Sequence, residues 1–523
     1  MNLQTGAHSP DPFMEDNGSG LFAFGVEYSW RTNGLRKLTP KSNTFCAAGA
    51  FLPDGTMVNV AGAELYSGDA DTSKLQDGRQ TVRRYKPGPC NGACTMDFDV
   101  NVDGLQSRRW YPTSITLTNG DVLVVGGSDV GLLVTNEASI NNPTYELIKA
   151  DGSAAPTQKN LTILEFGAED NENASMSFNL YPILQLLPNT DKADHVFTMA
   201  GDRANVYNYA TDEVVKELPN IPGGPRCFPG SAAAMMLPLE ANSTDPTILV
   251  CGGSSGDAPD PKALGDCYRI RPNDASPTWE ADDGLPNGGQ TMIEPVLLPD
   301  GTVVMMNGAH KGSAGGYQAA DPAMQALIYD PSKAAGSRFT KSATSEIPRM
   351  YHSVAILLPS GEILVAGSNP DVFYNPYGNV SVNANYPEFQ NNGHTSYLHQ
   401  QQPKDVNHPT EYRVEIYSPP YMDSADSRPK ITTSPATVKY GEQFQVAASG
   451  ISNDVVVRLS YSGFHTHAID MGARMVQLQA NNSNGTVAVT APGDASVMPP
   501  GVYMLWVVEK GIPSEAQWIK LGS

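Results

Sequence analysis

The chain is 523 residues long, which exceeds the roughly 100–200 residues of one compact unit and predicts a large repeat architecture or at least two domains. Glycine (49 residues) and proline (41) are abundant and charged residues make up only 17%, a composition that favours turns and strands over helices. The formal net charge of -21, with no basic patch against it, excludes nucleic acids and anionic lipid surfaces as partners.

The N-terminal residues Met1–Glu15 lack the basic start and apolar stretch of a secretory signal, and no apolar run approaches the length of a membrane span. The spacings of Cys90 with Cys94 and of Cys251 with Cys267 nevertheless suit local disulfides. Sequons for N-glycosylation begin at Asn17, Asn160, Asn173, Asn242, Asn379, Asn481 and Asn484. We therefore expect a secreted glycoprotein whose signal is absent from this chain.

A recurring unit runs through the first three quarters of the chain: an apolar strand, a tight turn, a second strand and closing small residues. Clear copies read FLPDGTMVNVAGA from Phe51, TLTNGDVLVVGGS from Thr116, LLPDGTVVMMNGA from Leu297 and LLPSGEILVAGSN from Leu357, and looser copies start at Leu186 and Met236. The Asp-Gly, Asn-Gly and Ser-Gly pairs indicate hairpin turns, because glycine adopts positive φ at little cost. Six units, with the strand-like stretch Leu21–Trp30 as an incomplete seventh, predict a seven-bladed, kelch-like β-propeller over residues 1–405.

After Pro370 the repeat stops, and a polar connection runs to about Thr410. Alternating strand patterns then resume in EYRVEIYSPPYM, TVKYGEQFQV, DVVVRLSYSG, MVQLQA, GTVAVTAP and GVYMLWVVEKG, spaced as in a small antiparallel sandwich. We predict an immunoglobulin-like β-sandwich over residues 411–523. No segment has helical periodicity over several turns, so the fold class is all-β.

Propellers present functional groups at the mouth of the central channel, where the innermost strands begin. Counting nine residues back from each turn glycine, and aligning the looser repeats, selects Cys46, Tyr111, Tyr181, Ser231, Met292 and His352. We expect Cys46, Tyr111, Tyr181 and His352 to converge on one axis, with Tyr351 beside His352. Because neighbours in a regular strand face opposite ways, Tyr351 and His352 can meet one ion only where the backbone is irregular.

Two phenol oxygens and imidazole nitrogens form a hard to borderline donor set, which suits tetragonal Cu(II) better than calcium or a thiolate zinc site. Each residue alone also has an ordinary structural role, since a tyrosine before a strand is commonly a core aromatic and a cysteine a small buried hydrophobe. Equivalent placement in several repeats is what favours a metal site.

Five segments in this order carry a more specific signal: NTFCAAGAFLPDGT, RRWYPTSITLTNGDVLVVGG, RMYHSVAILLPSGEILVAGSNP, THAIDMGAR and MPPGVYMLWVV. They closely resemble the copper radical oxidases, specifically the fungal glyoxal oxidases and the more distant galactose oxidases, from about Asn43 to the C-terminus. The resemblance implies one copper ion and a protein-derived radical cofactor, in which a thioether joins Cys46 to Tyr111. It also implies that the sandwich is an E-set domain, one loop of which reaches the propeller axis to deliver a ligand.

The resemblance implies copper ligands as well: Tyr111 as the equatorial, radical-bearing ligand, Tyr351 as the axial one, and His352 and His467 as the histidines. His465 is the rival of His467. We prefer His467, because the matching motif has a threonine directly before the ligand and an arginine shortly after, here Thr466 and Arg474. The match gives Tyr181 no ligand role, and we interpret that residue as a pocket-lining aromatic.

The implied chemistry is a two-electron oxidation. A copper couple carries one electron, so a second redox centre, the Tyr111 radical, is needed beside it. The resemblance implies that Tyr351 takes the substrate hydroxyl proton, that the Tyr111 radical abstracts hydrogen from the substrate carbon, and that O2 is reduced to H2O2. The expected partners are a small aldehyde or alcohol substrate and O2, with extracellular peroxidases consuming H2O2, and we expect a monomer.

Two departures bear on substrate and stability. Galactose oxidases stack a tryptophan on the cross-linked tyrosine from just after a Gly-Gly pair, where this chain has Ser128 and Asp129. Any stacking group must come from elsewhere, and the candidates are Phe45, Trp30 and Trp110. We therefore expect oxidation of small aldehydes such as glyoxal or methylglyoxal, as hydrates, to carboxylic acids. A primary alcohol or galactose oxidase is the alternative within the class, and a catalytically inactive kelch-like binding propeller is the alternative outside it.

The second departure is the N-terminus, since Met1–Gly20 resembles neither the additional strand nor the secretion signal that glyoxal oxidases usually have. Propeller closure depends on that strand. Once the thioether and the two disulfides are assigned, Cys227 has no partner, and we predict a buried free thiol there.

Overall fold

The computed structural model describes residues 25–38, 40–64, 76–86, 99–101, 104–130, 138–153, 158–165, 179–241, 243–254, 261–315, 319–369, 408, 410–461 and 463–522. Strands dominate these ranges, as the composition predicts. Two short 3-10 segments, Thr162–Leu164 and Pro420–Ser427, are the helical elements within them. No helix in the described ranges is long and apolar enough to cross a membrane.

Six antiparallel sheets follow one another along the chain as the blades of a propeller. Blade 1 comprises β3 (Ala48–Phe51), β4 (Met57–Val60), β5 (Val82–Tyr85) and β6 (Asp99–Asn101). Blade 2 comprises β7 (Thr113–Thr116), β8 (Val122–Val125), β9 (Thr144–Ile148) and β10 (Lys159–Asn160). Blade 3 comprises β11 (Ile183–Leu186), β12 (His195–Ala200), β13 (Arg203–Asn208) and β14 (Glu213–Leu218). Blade 4 comprises β15 (Ala233–Met236), β16 (Ile248–Cys251), β17 (Cys267–Ile270) and β18 (Glu280–Ala281). Blade 5 comprises β19 (Glu294–Leu297), β20 (Val303–Met306), β23 (Gln325–Tyr329) and β24 (Phe339–Thr344). Blade 6 comprises β25 (Val354–Leu357), β26 (Ile363–Ala366) and β27 (Glu415–Tyr417). An extra hairpin of β21 (Ala309–Gly312) and β22 (Ala319–Pro322) leaves blade 5.

The repeat unit read from the sequence forms the first two strands of each blade. In blade 1 the turn between β3 and β4 closes with a hydrogen bond from Gly55 N to Leu52 O (2.9 Å), and Gly55 has φ +84°. The corresponding glycines of blades 2, 5 and 6 also have positive φ, which explains the recurring Asp-Gly, Asn-Gly and Ser-Gly pairs. First strands of successive blades contact one another from β3 round to β25 and so surround the axis.

The seventh blade predicted from the sequence is not confirmed. The structure instead has a two-stranded hairpin of β1 (Gly25–Ser29) and β2 (Gly34–Leu38), which includes part of the stretch assigned to that blade. Residues 21–24 of that stretch lie outside the described residues. A strand-like pattern indicates a strand but does not show how many partners complete its sheet.

The strand in EYRVEIYSPPYM was predicted for the second domain, and that assignment is wrong. β27 pairs with β26, with Tyr417 opposite Ile363, and so forms the third strand of blade 6. Glu415 accepts a hydrogen bond from Arg349 Nε at 2.6 Å, and this bond holds β27 against the propeller. The pattern of alternation could not reveal this, because it reports burial on one face and not the identity of the neighbouring strand.

The sandwich is a nine-stranded assembly. Its strands are β28 (Lys430–Thr433), β29 (Thr437–Val438), β30 (Gln443–Ser449), β31 (Val456–Ser460), β34 (Met475–Ser483), β35 (Thr486–Thr490), β36 (Gly501–Glu509), β37 (Ile512–Pro513) and β38 (Gln517–Leu521). β34 pairs with β31 through its first half and with β35 through its second, and so connects the two layers. Buried residues of blades 3 and 4 and of the sandwich form one continuous hydrophobic core, which fixes the second domain on the propeller.

One hairpin of the second domain leaves the sandwich. It consists of β32 (Phe464–Thr466) and β33 (Ile469–Met471), joined by a two-residue turn at His467 and Ala468. This hairpin contacts the first strands of blades 1, 2, 4, 5 and 6, so its tip lies at the propeller axis.

Two cysteine predictions are confirmed: Cys251 and Cys267 form a disulfide, and Cys227 is a buried free thiol. Cys90 and Cys94 lie outside the described residues. Of the sequon asparagines, Asn160, Asn481 and Asn484 are exposed, and the other four fall outside the described ranges.

Candidate metal centre

A ring of six residues with the same backbone conformation surrounds the axis, each two positions before the first strand of its blade. Their φ angles are positive: Cys46 57°, Tyr111 62°, Tyr181 46°, Ser231 48°, Met292 57° and His352 66°. Backbone hydrogen bonds join neighbours in the ring, from Tyr111 N to Cys46 O (3.4 Å) and from Tyr181 N to Tyr111 O (2.9 Å). These are the six positions predicted from the sequence, four by counting back from a turn glycine and two, Tyr181 and Ser231, by aligning the looser repeats. The left-handed backbone conformation therefore occurs at the same position in all six blades, where it changes the direction of the side chain.

Tyr351 and His352 are both directed to the centre, because the backbone is irregular there as the sequence analysis required. The positive φ of His352 interrupts the alternation of an extended strand, and the two rings stack with centroids 3.7 Å apart. Tyr351 Oη lies 2.7 Å from Tyr111 Oη. The phenol oxygens of two different blades therefore meet at one point.

The hairpin of the second domain delivers His467 to the same point. His467 (φ +51°) and Ala468 (φ +64°) form its two-residue turn, and His467 Nε2 is 3.5 Å from Cys46 Sγ. The other ring nitrogen, Nδ1, lies 2.6 Å from Thr466 Oγ1. His465, the rival, is directed elsewhere, with its Nε2 3.3 Å from Asp470 Oδ2. The structure thus brings His467 and not His465 into the centre.

The two imidazoles are oriented as metal ligands usually are. His352 Nδ1 lies 3.0 Å from the carbonyl oxygen of Asn369, while Nε2 is buried and has no hydrogen-bond partner among the described residues. Ligating histidines commonly use one ring nitrogen for a protein partner and the other for the metal. The donor atoms of Cys46, His352 and His467 all lie within 4.8 Å of one another. The two imidazole nitrogens and the phenol oxygens of Tyr111 and Tyr351 form a donor set that suits an ion with nitrogen and oxygen ligands.

Burial dominates the electrostatics of the centre. It lowers the pKa of His352 to about 4 and that of His467 well below its ordinary value, so both imidazoles are neutral near pH 7 and able to bind a metal. Burial also raises the pKa of Tyr111 and Tyr351 well above the usual value. Without a cation, both phenols therefore keep their protons.

Cys46 and Tyr111 are in direct contact. Burial raises the pKa of the Cys46 thiol, and the nearby polar groups of Tyr111 and Trp110 act in the opposite direction. Both Cys46 and Tyr111 belong to the hydrophobic cluster at the axis and are 0% and 2% exposed. The contact places the thiol against the phenol with almost no access for water.

Of the three candidates for a stacking group, Trp110 covers the Tyr111 ring, with centroids 3.8 Å apart and planes inclined by 34°. Phe45 instead packs edge-on against His352 (5.6 Å), and Trp30 lies under Arg31 in the first hairpin. Trp110 is 1% exposed. Its indole N–H is buried and has no acceptor in hydrogen-bonding geometry among the described residues.

Phe228 is a site residue that sequence reasoning missed. Its ring lies 4.3 Å from that of Tyr111 and 5.5 Å from that of His467. Phe228 precedes the ring position Ser231 by three residues and occupies no repeated place in the blades, so the repeat gave no signal for it. Tyr181, interpreted as a lining aromatic, is fully buried with its ring 4.9 Å from both Tyr111 and His467.

Comparison with known proteins matches both parts of the chain. Residues 2–389 match the family model described as glyoxal oxidase N-terminus, and residues 428–521 match the galactose oxidase-like early set domain. The chain is 34% identical to "Aldehyde oxidase GLOX" of Vitis pseudoreticulata over 528 aligned residues, covering 98% of this chain and 88% of that protein. It is 32% identical to "Aldehyde oxidase GLOX1" of Arabidopsis thaliana, covering 97% of this chain and 76% of that protein.

A solved structure shares the fold. It is titled "Novel fungal alcohol oxidase with catalytic diversity among the AA5 family, in complex with copper", and it covers 95% of this chain and 90% of its own with a TM-score of 0.66. The sequence identity of 17% limits this similarity to the architecture.

Proposed function

The chain belongs to the glyoxal oxidase family, and from this membership we propose that it oxidises small aldehydes of the glyoxal and methylglyoxal type to carboxylic acids while reducing O2 to H2O2. The class of enzyme is a copper radical oxidase. The observation that carries the proposal is the convergence of two phenols, two neutral imidazoles and one thiol on a single buried point. The relatives named aldehyde oxidase support an aldehyde as the substrate.

In this proposal Tyr111, Tyr351, His352 and His467 hold the copper ion, and Cys46 is joined to Tyr111 by a thioether. The fit of the residues to the ion rests on the buried, unpartnered Nε2 of His352 and on the short distances among the donors. Bound copper supplies a one-electron couple, which together with the Tyr111 radical accounts for a two-electron oxidation. Thioether substitution spreads the unpaired spin beyond the phenol ring and so eases its oxidation.

Tyr351 serves as the base. A free phenol with a raised pKa is a poor base. With a cation held at its oxygen the pKa of Tyr351 would fall, so that the phenol would lose its proton to solvent and be available as a phenolate. Tyr351 Oη then accepts the hydroxyl proton of the hydrated aldehyde, while Tyr111 Oη takes hydrogen from the carbon that bears that hydroxyl. The two oxygens lie 2.7 Å apart, close enough for one to act on the hydroxyl and the other on the adjacent carbon of a single substrate molecule.

The overall reaction balances as one aldehyde hydrate, RCH(OH)2, and one O2 giving one carboxylic acid, RCOOH, and one H2O2. The two hydrogens that leave the hydrate come from its carbon and from one hydroxyl. The centre is nearly dry, with Tyr351 4% and His467 3% exposed, which protects a radical from reaction with bulk solvent.

We also propose that the protein is secreted and glycosylated. The disulfide Cys251–Cys267 fits an oxidising compartment, and the sequon asparagines Asn160, Asn481 and Asn484 are accessible. H2O2 released outside the cell would be available to peroxidases there.

The test is peroxide formation by copper-loaded protein with methylglyoxal, glycerol and galactose compared at equal concentrations. The proposal predicts that peroxide forms fastest with methylglyoxal. The control is a His467→Ala variant given the same copper, which should form no peroxide. Peroxide from galactose alone would reassign the substrate to a sugar alcohol. No peroxide from any of the three would favour a binding propeller instead.

A further inference from the structure

The ring of His467 has two orientations that differ only in which atoms face the centre. Half a turn of an imidazole about its Cβ–Cγ bond places Cε1 where Nε2 was and Cδ2 where Nδ1 was. Torsions of this kind are broad and roughly two-fold, so the side chain itself does not select one orientation. A metal site that needs Nε2 therefore requires a neighbouring group that distinguishes nitrogen from carbon.

The aromatic rings around His467 do not make this distinction. Three ring centroids lie 4.8, 4.9 and 5.1 Å from its own, those of His352, Tyr181 and Tyr111 respectively. Packing against these rings fixes the plane of the imidazole. It does not favour one orientation, because a nitrogen atom and a C–H group differ little in size.

The hydroxyl of Thr466 does make the distinction. Its Oγ1 lies 2.6 Å from Nδ1 of His467, a hydrogen-bond distance, whereas a C–H group in that place would need about 3.3–3.6 Å. Thr466 ends β32 and is 6% exposed, so water competes little for this bond. Two heavy atoms on its Cβ also restrict χ1 and hold the hydroxyl in place. With Nδ1 at the hydroxyl, Nε2 faces the centre, 3.5 Å from Cys46 Sγ.

The two histidines of the centre are held by different kinds of group. Nδ1 of His352 lies 3.0 Å from the carbonyl oxygen of Asn369, and a backbone carbonyl is present whatever the side chain. Nδ1 of His467 instead depends on the side chain of one residue, Thr466. When Nε2 binds a cation, Nδ1 carries the proton and the hydroxyl accepts it. His467 is thus the ligand whose orientation a single substitution can release.

We propose that Thr466 is a positioning residue: its hydroxyl holds the ring of His467 so that Nε2, and not Cε1, faces the centre before a metal binds. This inference rests on the proposed function for the identity of His467 as a copper ligand. It does not require Thr466 to touch copper or substrate. It gives a physical task to the threonine that favoured His467 over His465 in the sequence.

The test compares Thr466→Val with Thr466→Ser. Valine has a similar shape and remains β-branched, which suits a strand, but it has no hydroxyl. Serine keeps the hydroxyl and loses only a methyl group. The matched control is Thr291→Val, next to the ring position Met292, which removes a fully buried hydroxyl that donates to the Gly230 carbonyl oxygen at 2.8 Å.

The first readout is the nitrogen NMR spectrum of the histidine rings in metal-free protein labelled with nitrogen-15 at histidine. The chain has nine histidines, few enough to resolve, and His467→Ala identifies the signals of His467. Thr466→Val should shift the Nδ1 signal of His467, while Thr466→Ser and Thr291→Val should leave it in place. An unshifted signal in Thr466→Val would overturn the inference. Circular dichroism shows whether each variant is folded, and Thr466→Ala repeats the measurement if valine disturbs the hairpin.

The second readout is Cu(II) affinity, measured under argon by competition with a chelator. Thr466→Val should weaken Cu(II) binding about 10–100-fold, the usual effect of removing a group that orients a ligand. Thr466→Ser and Thr291→Val should keep the wild-type affinity. An equal loss in Thr466→Ser would assign the effect to the methyl group, and an equal loss in Thr291→Val would assign it to any buried hydroxyl. Either result would overturn the inference.

Pulsed electron paramagnetic resonance of the bound Cu(II) gives a spectroscopic signature, because the remote nitrogen of each coordinated imidazole modulates the echo. Thr466→Val should change the modulation from one remote nitrogen and leave that of His352 unchanged. If wild-type protein and His467→Ala bind Cu(II) equally, the proposed copper site fails, and the NMR spectrum of metal-free protein still decides whether Thr466 orients the ring. If Thr466→Val matches the wild type while His467→Ala loses copper, the positioning role fails and the copper site stands.

Discussion

Trp110 should set the reduction potential of the radical at Tyr111. Its ring lies 3.8 Å from the phenol ring, and an aromatic pair of this kind contributes about 0.5–1.5 kcal/mol. Since about 1.4 kcal/mol corresponds to about 59 mV for one electron, the stack is equivalent to about 20–60 mV. An electron-rich indole stabilises the electron-poor phenoxyl radical more than the phenolate, so removing it should raise the potential by this amount.

The variant is Trp110→Leu, with Trp110→Phe as the intermediate case that keeps a ring but removes the indole N–H near Cys46. The matched control is Trp279→Phe, whose indole donates to the Pro219 carbonyl in the outer part of blades 3 and 4. The potential is measured by redox titration of the radical absorption, with electron paramagnetic resonance to confirm that copper remains bound. A shift below about 10 mV in Trp110→Leu, with copper retained, would refute the reasoning, because the stack would then favour neither oxidation state.

Three further outcomes are expected. Tyr351→Phe should lower kcat/KM for methylglyoxal by about 10²–10⁴-fold, the usual contribution of a general base, and an unchanged value would remove Tyr351 from that role. Cu(II) affinity should rise between about pH 5 and pH 8: burial keeps His352 neutral down to about pH 4 and keeps the Tyr111 and Tyr351 phenols protonated, so binding displaces phenol protons. Competition titrations at constant ionic strength check this, and affinity that falls with pH would contradict it. Replacing Cys251 and Cys267 by serine should lower the free energy of unfolding in guanidinium titrations by about 3 kcal/mol, because the disulfide closes a loop of 16 residues. Cu(II) affinity should not change, since this loop lies away from the centre, and a lost copper site would contradict that.

The blades and most of the centre could be predicted because they repeat. In four blades a turn glycine fixes the register of two strands, and counting back from it, with the two looser repeats aligned to the others, selects six residues that all have positive φ. Cys46, Tyr111 and His352 were found in this way without knowledge of any contact. His467 has no place in the repeat, and its selection over His465 depended on the neighbouring Thr466 and Arg474.

What could not be predicted depends on pairing and on single contacts. The alternation in β27 predicted a strand but not that its partner would be β26 of the propeller. Phe228 reaches Tyr111 from a loop with no repeated pattern, and Trp110 could not be ranked above Phe45 until the ring positions were known.

The central claim is that Cys46 and Tyr111 form a covalent cofactor, and peptide mass mapping tests it most directly. Protein treated with copper and incubated in air is digested and searched for the Cys46 peptide joined to the Tyr111 peptide with the loss of two hydrogens. We predict the joined peptide in copper-treated protein and its absence from protein kept metal-free and from a Cys46→Ser variant. Separate, unmodified Cys46 and Tyr111 peptides from protein that has bound copper in air would contradict the account.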